Sequence, residues 1–215
     1  QVLAMLHGLQ QVCNHPAALK SWPHATSARC QEPENSGKMA RFMELVEEIL
    51  EPPREKVLVF TQYLQTLDLL VSTVARVHSE VEVLALRGSM RPEERDEAVC
   101  RFQEDPACCV LVCTLGSGGV GLNLTAAAHV IHFDRCWNPA KEAQATDRAH
   151  RIGQQRTVVV HRLTCEGTFE ERLDEEVRRK AALAREVVPV EVRGDIAASI
   201  AERSVDELRD LFALR

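Results

Sequence analysis

The sequence predicts an α/β domain: a mostly parallel sheet with helices packed on both faces. Three observations carry that expectation. Five short apolar runs, at 56–60, 81–86, 108–113, 130–133 and 158–163, read as strands buried on both sides. Amphipathic helical segments alternate with them, as in consecutive βα units. Helix start and stop signals, among them Pro92, Asn138-Pro139 and Gly153, fall at the junctions.

The elements follow in order. Val2, Leu6, Leu9 and Cys13 recur at i, i+4, i+7 and i+11, one face of a helix already under way at Gln1, as expected of a piece of a longer protein. Residues 21–36 are rich in Ser, Pro, Asn and Glu without an apolar period and read as a loop. Met39, Phe42, Met43, Val46, Ile49 and Leu50 form a helical stripe that stops at Pro52-Pro53, and Lys56–Phe60 is the first strand. A helix over 63–77 leads to a strand at Val81–Leu86. The next helix opens near Pro92, a residue suited to a first turn, and ends before Asp105-Pro106. Cys108–Cys113 is a strand that runs into a glycine loop, and Val130–Phe133 is another. Asn138-Pro139 reads as N-cap and first-turn proline of a helix that continues to a C-cap at Gly153, with Val158–Leu163 as the last strand. Thr168 with Glu171 and Ser204 with Glu207 form capping-box patterns, predicting helices near 168–185 and 204–213 outside the alternation. The expected division is an entry helix and loop over 1–36, the α/β unit over 37–165 and a helical appendage over 166–215.

Composition narrows the function classes. The 215 residues carry 26 Lys and Arg against 32 Asp and Glu, a net charge of −6, and the 45% apolar content is enough for a full core. The chain is neither collagenous nor disordered. No run approaches the roughly 20 uninterrupted apolar residues of a membrane-spanning helix, and no signal segment opens the chain, so an intracellular protein is expected. Eight cysteines without a C-x-x-C pair read as reduced thiols, not a disulfide frame or a zinc knuckle. Cys13 and His15 have metal-ligand chemistry but no second pair in sequence.

Four glycines, Gly116, Gly118, Gly119 and Gly121, follow the third strand. Three of them satisfy G-x-G-x-x-G, yet the next strand begins about nine residues later, too soon for the long helix on which a dinucleotide pyrophosphate rests. The loop is either a tight turn or a place where backbone N–H groups approach a phosphate or sugar. A Walker lysine is absent: Gly37-Lys38 has Glu32 and Met39 where the motif needs Gly and Ser or Thr. Asp96-Glu97 lies mid-helix, not at a strand end, so it is no magnesium acid pair. In the predicted helix over 139–152, Gln144, Arg148 and Arg151 fall on one face, with Lys141 extending it and Ala145, Ala149 and Ile152 forming an apolar strip beside it. From Arg135 to Arg162 six basic residues (135, 141, 148, 151, 156 and 162) stand against two acids, a local +4. Such a face is either solvated or aimed at a polyphosphate, which planar guanidinium forks suit. Trp137 is either a core cap or a stacking surface for nucleic acid.

Several strings together resemble one family. Leu115–Ala127, Val130–Asp134, Trp137-Asn138-Pro139 and Gln144–Gln154 are similar to motifs five and six of the SWI/SNF-type ATPases of helicase superfamily two. Val57–Tyr63 resembles motif four, Leu86–Ser89 with Arg95 and Phe102 the motif after it, and Cys13–Pro16 the segment entering the second lobe. The ending, Ser204–Leu214, is closer to bacterial members related to RapA. The resemblance covers nearly the whole chain in order. It implies a RecA-like second motor lobe, ATP and Mg2+ held chiefly by an absent N-terminal RecA-like lobe, and hydrolysis only in the full-length protein. It further implies Arg148 and Arg151 as arginine fingers, Gln144 at phosphate or water, and Gly119, Gly121 and Asn123 near the nucleotide. Thr61, Gln62, Arg87, Gly88, Thr114 and Trp137 would track one strand of double-stranded DNA. A protein–DNA complex or RNA polymerase is a further partner on this reading, the setting a bacterial nucleoid, or a nucleus if the source is eukaryotic. The chain departs from the family at Gly116, often Lys or Arg, which predicts weaker DNA binding with a smaller salt dependence. The rival expectation is a non-catalytic nucleic-acid-binding or regulatory module of the same fold.

Overall fold

The computed structural model describes residues 2–19, 32, 35–117, 121–136 and 138–186, with the side chains of 2, 3, 177 and 180–186 excepted. Gly119, Trp137, most of the 21–36 loop and the helix expected near 204–213 lie outside the described residues. The elements are α1 (Val2–Asn14), a 3-10 turn (Pro16–Ala18), α2 (Gly37–Leu50), β1 (Lys56–Thr61), α3 (Leu64–Val77), β2 (Glu82–Leu86), α4 (Pro92–Glu104), β3 (Cys108–Thr114), β4 (Ala127–His132), α5 (Pro139–Thr146), β5 (Val159–Arg162) and α6 (Phe169–Glu186).

The five strands form one sheet in the order β2-β3-β1-β4-β5, with every neighbouring pair parallel. Strand side chains alternate between two apolar layers. Val57 and Val59 of β1, Val110 and Val112 of β3 and Ile131 of β4 pack against Met39, Phe42 and Val46 of α2 and Leu67, Leu70 and Val74 of α3. Leu58, Phe60, Leu111, Cys113 and Val130 face the opposite way, onto Ala98 and Phe102 of α4 and onto Ala145 and Ala149. This double burial is why the strands read as unbroken apolar runs. Asn138, read from the sequence as an N-cap, accepts from the Ala140 N–H through Oδ1 at 3.0 Å, and Ser36, at the end of the stretch read as a loop, caps α2 by accepting from the Met39 N–H at 3.2 Å. At α6, Thr168 Oγ1 accepts from Glu170 N–H (3.2 Å), but the Glu171 carboxylate accepts from Gly167 N–H (3.0 Å), one residue further out than a capping box requires.

Two expectations are corrected. The helix that opens at Pro139 ends at Thr146 instead of Gly153, for reasons that belong to the site described below. The buried face of α1 is Leu6, Gln10 and Asn14, while Leu9 is 37% exposed. Polar residues occupy that face because it meets polar groups at the carboxyl edge of the sheet, where backbone and side chains left without partners need donors and acceptors.

At that junction Lys38, the residue of the rejected Gly-Lys pair, is buried. Its ammonium donates to both Glu170 oxygens, at 2.7 and 2.6 Å, and to Asn14 Oδ1 at 3.1 Å, with both charged side chains at most 1% exposed. The Asn14 amide donates to Asp134 at 3.0 Å, Thr61 Oγ1 donates to the same carboxylate, and the Gln62 N–H donates to its other oxygen at 2.9 Å. Burial pushes the Asp134 carboxyl up to about 6 against these donors and Lys38. Close by on β4, burial lowers His132 to about 4, the positive charges of Arg162 and Arg135 adding to this and Glu142 opposing it. Its Nε2 bonds the Thr146 hydroxyl at 2.9 Å, that hydroxyl itself donating to the Glu142 carbonyl, and its buried Nδ1 has no partner among the described residues. A neutral ring protonated on Nε2 satisfies all three facts.

Removing one member of the Lys38–Glu170 pair strands a charge in the core. Lys38→Met is expected to destabilise the chain by about 3–5 kcal/mol, and Lys38→Met with Glu170→Leu to recover most of that loss, in urea titrations. Equal losses in the single and double variants would contradict the pairing. The two buried titrating groups have opposite linkage. Asp134, raised on folding, contributes stability that is present below its ordinary value of 3.8 and lost as pH rises through about 6. His132, lowered on folding, contributes stability that is present above 6.5 and lost as pH falls through about 4. Each is worth about 3 kcal/mol, so they offset one another over this interval. Between about pH 4.5 and pH 6, Asp134→Asn should therefore make stability rise more steeply with pH than in the parent, and His132→Gln should turn the slope the other way, as read from urea midpoints. Parallel pH profiles in all three proteins would refute it.

Candidate nucleotide cleft and nucleic-acid edge

Parallel topology gathers the sequence-predicted nucleic-acid residues at one edge. Thr61 ends β1, Arg87 and Gly88 follow β2, and Thr114 ends β3; these strands are adjacent, so residues distant in sequence share the carboxyl side of the sheet. Ligands of open α/β sheets bind on that side. The side chains differ in what they offer. Thr61 and Thr114 are buried, with the Thr61 hydroxyl committed to Asp134. The Gln62 amide is half-buried and donates to the Arg135 carbonyl (2.8 Å) and to Gln10 (3.3 Å), so it builds the edge from within. Arg87 pairs with Asp68 at 2.6 Å on the surface, and Gly88 is exposed with open space around it. Ser117 locks the start of the glycine loop by donating to the carbonyls of Leu86 (2.8 Å) and Thr114 (2.7 Å). Trp137 and Gly119 are outside the described residues.

A separate cleft of about 480 Å³ opens on the side of α5, lined by Gly121, Leu122, Gln144, Asp147, Arg148, His150, Arg151 and Ile152. Its walls exist because α5 stops early. The Arg148 and Ala149 amides bond three residues back, to Ala145 (3.3 Å) and Thr146 (3.0 Å), which tightens the last turn. The Arg148 carbonyl, which would carry the helix onward, instead accepts the Leu124 N–H at 3.0 Å. One Gln154 amide nitrogen contacts the carbonyls of Ala127 (2.8 Å), Thr125 (3.0 Å) and Ala149 (3.3 Å), stitching the turn to the loop before β4. Gly153, at φ 106°, lets the chain leave the turn, and Gly121, at φ 100°, presents its carbonyl to the Arg151 guanidinium. Ala145 and Ala149 are buried as the sequence predicts, but Ile152, expected in the same strip, is 98% exposed because the helix no longer carries it inward.

Gln144, Arg148 and Arg151 thus meet through a helix end and a turn, not along one helical face. Asn123 is exposed beside the cleft without lining it. Arg151 is exposed and donates to the carbonyls of Gly121 (3.1 Å) and Leu122 (3.4 Å); among the described residues no carboxylate pairs with it. Arg148 is mostly buried, and burial lowers its guanidinium, with Cys113 opposing that effect and the Arg151 charge adding to it. Two adjacent guanidiniums without an internal carboxylate on Arg151 make a site suited to an anion with several oxygens.

The remaining basic residues of the predicted cluster disperse. Arg135 is buried in ion pairs with Glu142 and Asp174, Arg162 bonds the other Glu142 oxygen at 2.6 Å, and Arg156 pairs with Glu55 at 3.5 Å. Lys141 is exposed. The local excess of +4 is therefore mostly structural, because Asp174 and Glu55 reach it from segments outside 135–162. His15 does not join Cys13 in a metal pair: its Nδ1 accepts from the Ala17 N–H (3.1 Å), and its Nε2 donates to the Glu32 carbonyl (3.1 Å). Periodicity gave no sign of Gln10, Asn14, Asp134 or Gln154 as the groups that hold the two sites in shape. The available signal was the presence of uncharged polar residues inside otherwise apolar patterns.

Comparison with known proteins agrees with this geometry. Residues 37–153 match the model of the helicase conserved C-terminal domain. YwqA of Bacillus subtilis, named as an ATP-dependent helicase or translocase, is 41% identical over 216 residues, covering 99% of this chain and 22% of its own length. The C-terminal domain of the Sulfolobus solfataricus SWI2/SNF2 ATPase superposes with a TM-score of 0.76 at 34% identity, over 100% of this chain and 82% of that one. The core of the same ATPase in complex with double-stranded DNA gives 0.79 at 38% identity, over 100% of this chain and 42% of that chain. The chain thus spans about a fifth of its Bacillus relative and under half of the ATPase core. With its five-stranded RecA-like sheet and these likenesses along its length, the chain belongs to the helicase conserved C-terminal domain family, among the C-terminal domains of SWI2/SNF2-type ATPases.

Proposed function

We propose that this chain is the second motor lobe of an ATP-dependent double-stranded DNA translocase or remodeller, acting in the bacterial nucleoid with an N-terminal RecA-like lobe of the same protein. The observation that carries the reading is the cleft in which Arg148 and Arg151 stand together, Arg151 bonded to carbonyl oxygens and open to solvent. The residues present fit the phosphate end of ATP. They do not fit a magnesium site, since the cleft holds one carboxylate, Asp147, and Lys38 is consumed by Glu170. On this reading the metal and the Walker lysine are supplied by the other lobe.

ATP with Mg2+ supplies the transferable γ-phosphoryl group. Arg151 gives up two weak carbonyl contacts and turns its fork toward the phosphate oxygens, stabilising charge as the bond to the leaving group lengthens. Arg148, held by burial beside Cys113, keeps a second positive charge in place at little cost in mobility. Gln144, exposed at the mouth, orients phosphate or water, and the Gly121 and Asn123 backbone borders the nucleotide. On the other side of the lobe, Arg87, Gly88 and Gln62 follow a DNA strand, with Thr61 and Thr114 supporting the edge and Trp137 as a stacking surface. The double-stranded DNA bound by the Sulfolobus relative supports this assignment. Closure of two lobes over nucleotide and release after hydrolysis then shift the grip on DNA stepwise.

With the N-terminal lobe restored, Arg151→Ala is expected to lower the DNA-stimulated turnover of ATP about 10³-fold, while leaving stability within about 0.5 kcal/mol because the side chain is exposed. Unchanged turnover would favour the non-catalytic module instead. Gly116 is exposed, has open space where a side chain would start and is not at positive φ. Gly116→Lys should therefore strengthen DNA binding and steepen the plot of log affinity against log salt by about 0.9. A slope identical to the parent's would remove this loop from the DNA face.

A further inference from the structure

Away from the arginine cleft, the end of α1 and the approach to α6 bring two thiols together. The sulfurs of Cys13 and Cys165 and a Glu170 oxygen all lie within 4.8 Å of one another, and Cys165 Sγ is 3.3 Å from the Cys13 carbonyl oxygen. Both cysteines are half-buried. Cys165 lines an open cleft of about 310 Å³ with Gly37, Lys38 and Arg41, which gives a small solute a route to the pair from solvent. Cys108, Cys109, Cys113 and Cys136 are buried, and Cys100 is exposed on α4.

Three donor atoms this close suit either a thiophilic metal ion or a bond between the sulfurs. The Lys38 ammonium decides between them. It already sits against both Glu170 oxygens and Asn14, and the Cys165 N–H donates to the same carboxylate at 2.9 Å. A dication on Glu170 would have to expel a buried ammonium, whereas joining the sulfurs leaves that ion pair intact. The thiols are also unequal. A hydrogen bond from Cys165 lowers the Cys13 thiol, with Lys38 and Thr168 helping and burial and Glu170 opposing. The same bond raises Cys165, with burial adding to it. One sulfur is thus disposed to act as thiolate next to a protonated partner, the arrangement of an attacking and a resolving thiol.

We infer that Cys13 and Cys165 form a reversible disulfide that fastens the end of α1 to the start of α6. With glutathione disulfide as oxidant, the Cys13 thiolate attacks one glutathione sulfur, forming a mixed disulfide and expelling a glutathione thiolate. Cys165 then loses its proton and attacks Cys13 Sγ, breaking the mixed disulfide and releasing the second glutathione. The two protein thiols are oxidised by two electrons, and the two glutathione thiols take up the electrons and both protons. The side chains must rotate to bring the sulfurs to about 2.05 Å. Because α1 also carries Gln10 and Asn14, the bond fixes the junction that holds Asp134, Thr61 and Gln62.

The test uses the 215-residue chain with Cys30→Ser and Cys100→Ser, treated with glutathione disulfide, digested without reductant and mapped by mass spectrometry. The expected result is a peptide pair joined through Cys13 and Cys165 that dithiothreitol separates. A rise in Tm of about 5 °C or more should accompany it, since the closed loop is long. Cys165→Ala should lose both signals, and Cys13→Ser serves in its place if that variant fails to fold. Glutathione left on either cysteine without the cross-link, or cross-links of equal yield through other cysteines, would overturn the inference. So would stoichiometric zinc retained by the reduced chain after dialysis and lost in the Cys165 variant, which would make the cluster a metal site.

Discussion

A carboxylate taken out of water must be surrounded by donors, and the Asp134 side chain meets that demand with groups from three separate parts of the chain. Asn14 arrives from α1, Thr61 and the Gln62 amide from the end of β1, and Lys38 lends its charge from the start of α2. Lys38 in turn is held by Glu170 of α6, so a single polar junction ties α1, the central strand and α6 to the carboxyl edge of the sheet. Apolar packing alone would let these elements slide, because it is non-directional. Hydrogen bonds at a buried charge do not permit that without large cost. The same junction sets the positions of Thr61 and Gln62, and so the shape of the proposed DNA face.

The proposed nucleotide cleft is shaped by an interruption. A helix continued to Gly153 would have buried Ile152 and pointed its arginines along one stripe. Instead the Arg148 carbonyl is captured by Leu124, and Gln154 closes the turn against the loop before β4. The result places Gly121 and Leu122 opposite Arg148 and Arg151 and leaves Arg151 facing solvent. A backbone carbonyl is a weak competitor for a guanidinium compared with a phosphate oxygen, so Arg151 is parked without being neutralised. Arg135, by contrast, is consumed by Glu142 and Asp174, and its role is to brace α5 and α6 against the strand edge.

Much of this was legible in the residues themselves. Alternation of apolar runs with amphipathic segments located every strand and nearly every described helix, because strands covered on both faces leave a signal that needs no knowledge of partners. Capping residues, Asn138 and Thr168, marked the starts of α5 and α6 for the same reason, since a cap acts within three residues of itself. The face of α1 was misread because periodicity counts apolar residues, and here the buried stripe includes Gln10 and Asn14. The end of α5 was missed because what terminates it is an amide 24 residues upstream, Leu124, which no local pattern registers.

The sequence by itself determined the α/β alternation, the absence of a Walker lysine and the identity of the guanidiniums, since each rests on side-chain chemistry or on spacing within one element. Tertiary structure alone decided which charges are spent internally and which remain available. Lys38, Arg135 and Arg162 lie near carboxylates from other segments, while Arg151 meets only carbonyls among the described residues. Charge pairing is a matter of distance in space, falling off over a few ångströms, and distance along the chain does not report it.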